Sequence, residues 1–285
     1  EFVAVAESES FTRASQRLHI STAQVSRQVK ALEDRLAVKL FYRTTRRVSL
    51  TENGAVYYQH CRSLLDGLEE AESAVGELQQ TLKGSIKLTA PVTYGEEYIL
   101  PLINDFMLEY PQLSVSVRLT NQALDLIEGG FDLAIRLGNQ MDDSLVARQL
   151  SKRHQLVCAS PAYLKTYGQP YTLKELSQHQ CLQGSVEQWR FNELGLDKSI
   201  KVKGRLTCNS GYALVDAALK GLGIVQLPSY YLQDHIKSGK LVSLLEQFKP
   251  DEEGIWAMTP PKRHTPLKVD RLIEFLNVGL KTTFN

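Results

Sequence analysis

The chain has 285 residues, 43% of them hydrophobic, and a formal net charge of +1, which is enough to bury more than one core. No apolar run approaches the roughly 18 residues of a membrane span, and four scattered cysteines with no CxxC pair argue against a disulfide scaffold or a zinc site; no cofactor is expected. The near-neutral total hides a split: nine cations face five acids over residues 1–50 (+4), then two face six over 51–84 (−4), so a basic module precedes an acidic one.

The first residues, EFVAVAES, form half of an apolar helix face, so the natural protein is expected to start further upstream. SFTRASQRL (Ser10–Leu18) reads as a second short helix, and HIS (His19–Ser21) as a tight break. In STAQVSRQVKALEDRL (Ser21–Leu36), Val25, Val29, Leu32 and Leu36 fall in one stripe at 100° per residue, with Ser21 as N-cap. Ala23, Arg27, Lys30 and Asp34 lie opposite, and Thr22, Gln24 and Ser26 flank them. KLFYRTTRRVSLT (Lys39–Thr51) alternates around a basic tip and predicts a small hairpin.

A short helix, a tight turn and a helix that begins with small polar residues make a helix-turn-helix, whose second helix enters the major groove of DNA. Thr22 and Ser26 are short enough to let the backbone approach. Arg27 suits the guanine O6/N7 pair or a phosphate, and Lys30 suits a phosphate. Arg43, Arg46 and Arg47 then form a basic wing. A solvated helix and loop is the bland alternative, and the coincidence of turn, polar start, wing and the following helix weighs against it.

Residues 52–83 run without proline, and Tyr57, Cys61, Leu64, Leu68, Ala71, Val75, Leu78 and Leu82 repeat at spacings of 4 and 3. This heptad seam predicts a helix of roughly 45 Å that pairs with a second copy of itself, the alternative being a long helix packed on the protein's own core. Beyond it, SIKLTA, LSVSVRL and FDLAIRL read as strands, with helices at about Glu96–Tyr110 and Gln122–Glu128. A second group of elements follows in HQLVCAS, PAYLKTYG, IKVKGRLTC, GYALVDAALKG and LGIVQLP. GIWAMTP and a helix from about Leu267 to Leu280 return to the first group. Such alternation predicts two α/β lobes with a cleft between them. Ligands in such lobes sit beyond the carboxyl ends of strands. That rule selects Thr93 and Tyr94 in APVTYG, Arg136 in RLG, and Asn209 and Ser210 in TCNSG, a set favouring a carboxylate or another anion. Asn209 capping its helix and Arg136 pairing with a neighbouring acid remain the alternatives. Trp189 and Phe191 are expected as a buried aromatic pair.

The stretch FVAVAESESFTRASQRLHISTAQVSRQVKALEDRLAVKLFYRTTRRVSLTENG resembles the winged helix-turn-helix of the LysR-type transcriptional regulators. LTAPVTYGEEYILP, GFDLAIRLG, LVCASPAYL, WRF and GLGIVQLP are similar to that family's effector domain. The resemblance implies a two-lobed fold like that of periplasmic solute-binding proteins and a small-molecule effector. It also implies cytoplasmic homodimers, often homotetramers, on promoter DNA. Carried over by position, its DNA contacts are Thr22, Ala23, Ser26, Arg27 and Arg46. The family commonly has Gln then Pro or Ser where this chain has Thr22 and Ala23, so the bidentate adenine contact of Gln is absent here. The expected divisions are a DNA-binding head (1–51), a dimerisation helix (52–83) and an effector domain (84–285). Within that domain lobe I is about 84–152 with 257–285, and lobe II is about 153–256. A solute-binding transport protein is the competing reading, but it leaves the basic head unexplained. No nucleophile elbow, phosphate loop or metal-ligand spacing supports an enzyme.

Overall fold

The computed structural model describes residues 1–43, 48–76, 82–138, 144–261 and 265–284; at 66, 69–76 and 282–284 only the backbone is described. The chain divides into two compact units. One comprises Glu1–Arg136, Gln140–Leu150 and Trp256–Asn285, and the other Leu137–Asn139 and Ser151–Ile255.

The head contains α1 (Phe2–Ser8), α2 (Phe11–Leu18), α3 (Thr22–Leu36) and an antiparallel hairpin of β1 (Phe41–Arg43) and β2 (Val48–Leu50). Ser10 and Ser21 start α2 and α3 by accepting from the backbone N–H groups of Arg13 (3.3 Å) and Gln24 (3.2 Å). His19 and Ala37 end them in the left-handed region, at φ 54° and 55°. Phe2, Val5, Ala14, Val25, Val29, Leu40 and Phe41 form the head's core.

α4 (Glu52–Gly76) starts directly from the hairpin. The Thr51 hydroxyl donates to the Lys39 carbonyl (2.7 Å) and accepts from the Gly54 N–H (2.9 Å). Gly54 has no room for a side chain, because a Cβ there would stand 2.0 Å from the Leu40 carbonyl oxygen. Residues 77–81, including Leu78 of the heptad, lie outside the described residues. Leu82 lies beyond the helix on the approach to β3 and is only 8% exposed, so it is not a member of a helical seam.

Beyond α4, β3 (Gly84–Ala90) leads to α5 (Val92–Tyr94), a π-helical turn (Gly95–Ile99) and α6 (Leu100–Glu109). The expected helix at 96–110 therefore starts earlier and contains a wide turn. Pro101 cannot donate to the Glu97 carbonyl four residues back, and the Leu100 N–H bonds Gly95 instead. Next come β4 (Leu113–Leu119) and β5 (Leu133–Leu137), both parallel to β3.

The helix expected at Gln122–Glu128 does not form. The Asp125 carboxylate accepts from the Ile127 and Glu128 N–H groups, both at 2.8 Å, and closes a turn before Gly129 and Gly130. Conversely β6 (Val146–Arg153) has no counterpart in the sequence reading. Its residues are mostly polar and only Leu150 is buried.

The second unit contains β7 (Gln155–Ala159), α7 (Pro161–Tyr167), β8 (Cys181–Leu182), β9 (Gln188–Glu193), β10 (Leu196–Lys201), α8 (Gly211–Leu219), β11 (Ile224–Pro228), α9 (Ser229–Lys237) and β12 (Val242–Leu244). The chain returns through β13 (Glu253–Thr259) and ends in α10 (Leu267–Phe284). One sheet has the order β4-β3-β5-β13-β6 and another β12-β7-β11-β8. The second sheet is mixed, because β7 pairs antiparallel with β11 while β8 pairs parallel with it. Val157, Ala159 and Ile224 enter one core with Trp189 and Phe191, and Cys158, Val225 and Leu227 enter another with α8 and α9. Burial on both faces explains why these strands are apolar at successive positions. IKVKGRLTC is regular only to Lys201, and Gln183↔Thr207 is an isolated bridge beyond it.

Candidate functional site

The first turn of α3 contains no acid. Thr22, Ala23, Gln24, Arg27 and Lys30 are exposed and Ser26 is half-buried, while Val25, Val29 and Glu33 face inward. Among the described residues neither Arg27 nor Lys30 has a carboxylate partner. The Thr22 hydroxyl lies 2.9 Å from that of Ser15, which already donates to the Thr12 carbonyl at 2.8 Å. Thr22 is therefore the donor of that pair, and it ties α3 to α2 while its methyl group and remaining lone pair stay available. Gln24, placed on the flank by the sequence reading, shares the exposed first turn.

Glu33 was not singled out by sequence, yet it is 3% exposed. Its carboxylate accepts from the N–H groups of Leu40 (2.9 Å) and Phe41 (3.2 Å) and pairs with Arg43 (3.1 Å) and Lys39 (3.4 Å). Burial pushes this carboxyl up, but the two backbone donors and the two cations outweigh it and hold the pKa below its ordinary value. Arg43, expected among the phosphate contacts, thus spends its charge inside the head and also lies over the Phe11 ring, 4.7 Å from its centroid. Arg46 and Arg47 lie outside the described residues.

The seam divides by environment. Tyr57 and Cys61 pack on the head's core, whereas Leu64 is 74% and Leu68 57% exposed; the side chains of Ala71 and Val75 are not described. A groove of about 540 Å³ between α1, α3 and α4 is lined by Phe2, Val29, Leu32, Tyr57, Leu64 and Leu65. Glu7 ties α2 and α4 to α1 by pairing with Arg17 and Arg62.

Thr93, Tyr94 and Arg136 follow or end the neighbouring parallel strands β3 and β5 at their carboxyl ends. Thr93 is half-buried. Tyr94 is 1% exposed and stacks on Tyr98 (centroids 5.0 Å apart), so its ring serves packing. The Val92 N–H is taken by the Asn121 side chain (3.0 Å). Arg136 is half-buried and donates to its own strand's Ile135 carbonyl. Burial lowers its pKa, and no acid pairs with it among the described residues. Asn209 and Ser210 precede α8 in the second unit. The cap is Ser210, which accepts from the Ala213 N–H (3.4 Å), and Asn209 is exposed. Trp189 and Phe191 are the buried pair that was expected. Burial pushes the thiols of Cys158 and Cys181 up to about 12, so neither is a thiolate nucleophile at neutral pH. No group that could hold a metal ion occurs among the described residues, and none of their helices is long and apolar enough to cross a membrane.

Two family models match the chain. "Bacterial regulatory helix-turn-helix protein, lysR family" covers residues 1–55, and "LysR substrate binding domain" covers 79–280. An HTH-type transcriptional regulator of Haemophilus influenzae is 35% identical over 94% of this chain and 94% of its own length. The HTH-type transcriptional activator TtdR of Escherichia coli is 32% identical over 96% and 90%. Among solved structures, the full-length Vibrio cholerae virulence activator AphB, a member of the LTTR family, aligns with a TM-score of 0.62 at 31% identity over 96% of each chain. CrgA from Neisseria meningitidis, a LysR-type regulator, aligns at 0.59 and 33% identity over 96% of each.

Proposed function

The chain belongs to the LysR family of bacterial transcriptional regulators, and on that footing we propose how its residues share the work. It is a DNA-binding regulator with an effector-binding domain; it is neither an enzyme nor the transport component weighed above, whose two lobes come without such a head.

In our reading α3 enters the major groove with Thr22, Ala23, Ser26 and Arg27 toward base edges and Lys30 toward a phosphate. Arg46 and Arg47 act from the wing. The observation that carries this reading is the pair Arg27 and Lys30: two exposed cations with no acid partner among the described residues, on a helix whose first turn exposes only small or amide side chains. A duplex selected by the chain from a random-sequence pool tests it. Unchanged affinity and selectivity in Arg27→Ala would refute it.

Residues 1–51, 52–83 and 84–285 serve as head, dimerisation helix and effector domain, with lobe I at about 84–152 and 257–285 and lobe II at about 153–256. The exposed Leu64 and Leu68 beside an apolar groove support pairing with a second copy in the cytoplasm, and through it a dimer or tetramer. The effector is a small carboxylate or another anion, with Arg136 and Thr93 of the first unit and Asn209 and Ser210 of the second as its candidate contacts. A half-buried guanidinium with no acid partner among the described residues supports that class. Thermal-shift screening of small carboxylates against neutral analogues checks the choice, and a response to neutral compounds alone overturns it.

A further inference from the structure

All four donors to the Glu33 carboxylate come from the segment Lys39–Arg43, and β1 begins inside that segment. Arg43 in turn leans on Phe11 of α2. One carboxylate therefore joins α3 to β1, and one guanidinium joins β1 to α2. We propose that Glu33 is the positioning residue of the wing: it fixes the hairpin against α3 and withholds Arg43 from the DNA backbone. The inference deepens the DNA-binding reading and rests on it.

Charge balance gives the first reason. DNA affinity grows when a free cation displaces condensed counterions from phosphates. Arg43 is already neutralised at 3.1 Å by Glu33 and has little charge left to displace them. If it moved to a phosphate, Glu33, whose side chain is 2% exposed, would keep the two amides but have Lys39, at 3.4 Å, as its one cation among the described residues.

Register gives the second reason. β1 and β2 pair Phe41↔Leu50, Tyr42↔Ser49 and Arg43↔Val48, so Arg43 belongs to the last paired rung before the basic tip. Holding Arg43 and the Leu40 and Phe41 amides on one carboxylate sets where that rung stands against α3. Arg43 is then a support of the hairpin and not one of its phosphate contacts.

The test compares Arg43→Ala, Glu33→Gln and Arg27→Ala in the full chain, using a duplex selected by the unmodified chain from a random-sequence pool. In Arg43→Ala the slope of log affinity against log salt is expected to stay unchanged. A slope shallower by about 0.9 would make Arg43 a phosphate contact and overturn the proposal. Glu33→Gln keeps an acceptor for the two amides but loses the charge. Hydroxyl-radical protection at the wing's flanks should weaken and affinity fall about ten-fold, while guanine N7 protection under α3 persists. Unchanged flank protection overturns the positioning role, and a merely structural acid would weaken all protections together. Should Glu33→Gln not fold, Arg43→Ala decides alone, since its side chain is 36% exposed. Guanine protection that persists in Arg27→Ala would instead remove α3 as the reading helix, an outcome separate from the Arg43 slope.

Discussion

The hydroxyls of Ser15 and Thr22 meet at 2.9 Å and join the two helices of the turn, with Thr22 as donor. Two substitutions separate its bracing from its reading of DNA. Thr22→Val keeps the shape and loses the donor, so it should cost the head about 1 kcal/mol in urea unfolding. Thr22→Ser keeps the brace and loses the methyl group, so stability should hold while preference changes at one base pair in a selection experiment.

Arg27 and Lys30 should respond differently to alanine. Arg27→Ala is expected to lose about 1–3 kcal/mol of affinity and to relax selectivity at one position. Lys30→Ala should weaken all sequences alike and reduce the salt slope by about 1. Fluorescence anisotropy on matched and single-mismatch duplexes at several salt concentrations distinguishes the two patterns.

Acid should loosen the head through Glu33. Its pKa in the folded head lies below the ordinary value of 4.5. The folded state therefore binds this proton less readily than the unfolded state. The resulting stabilisation is present above about pH 4.5 and disappears as pH falls through the folded pKa. Urea midpoints between pH 6 and roughly 3 should fall, and Glu33→Gln should flatten that part of the curve. Glu33→Ala should be destabilised at neutral pH by roughly 2–3 kcal/mol, because the Leu40 and Phe41 amides lose their acceptor.

Arg136→Gln should leave the stability of the unliganded protein within about 0.5 kcal/mol, since no ion pair is broken among the described residues. The same change should weaken a responding carboxylate by about 1.5–3 kcal/mol, read by calorimetry. Lost stability with unchanged affinity would mark Arg136 as structural.

Leu64→Glu combined with Leu68→Glu should dissociate the assembly in analytical ultracentrifugation. Both side chains are more than half exposed, so folding of a single copy should survive. A dimer that persists in the double variant would place the contact elsewhere.

The head was legible because its signals are local. Ser21 caps, Val25 and Val29 face inward, and the β-branched hairpin flanks a basic tip, all within a few residues. Glu33 was not legible. On the helical wheel it is one more polar residue, and its burial depends on amides seven and eight positions later. The Glu33–Arg43 pair is illegible for the same reason, since its partners lie ten residues apart. Over Gln122–Glu128 the period favoured a helix, but the Asp125 side chain captured the amides that a helix would have used. The polar β6 shows no period to follow, because it is recruited by its neighbours in the sheet. At the effector residues the sequence located strand ends, and only the packing revealed that the Tyr94 ring belongs to the core and that Arg136 meets no acid among the described residues.

Gly54 brings α4 against the Leu40 carbonyl with no space for even a methyl group, and Thr51 is fastened to Lys39 on the same side. The joint between head and linker is therefore closely packed. In the proposed pair, a twist of the linker is expected to turn the head with it. A pair of such heads would behave like the jaws of a caliper, with their separation set at the far end of the stems.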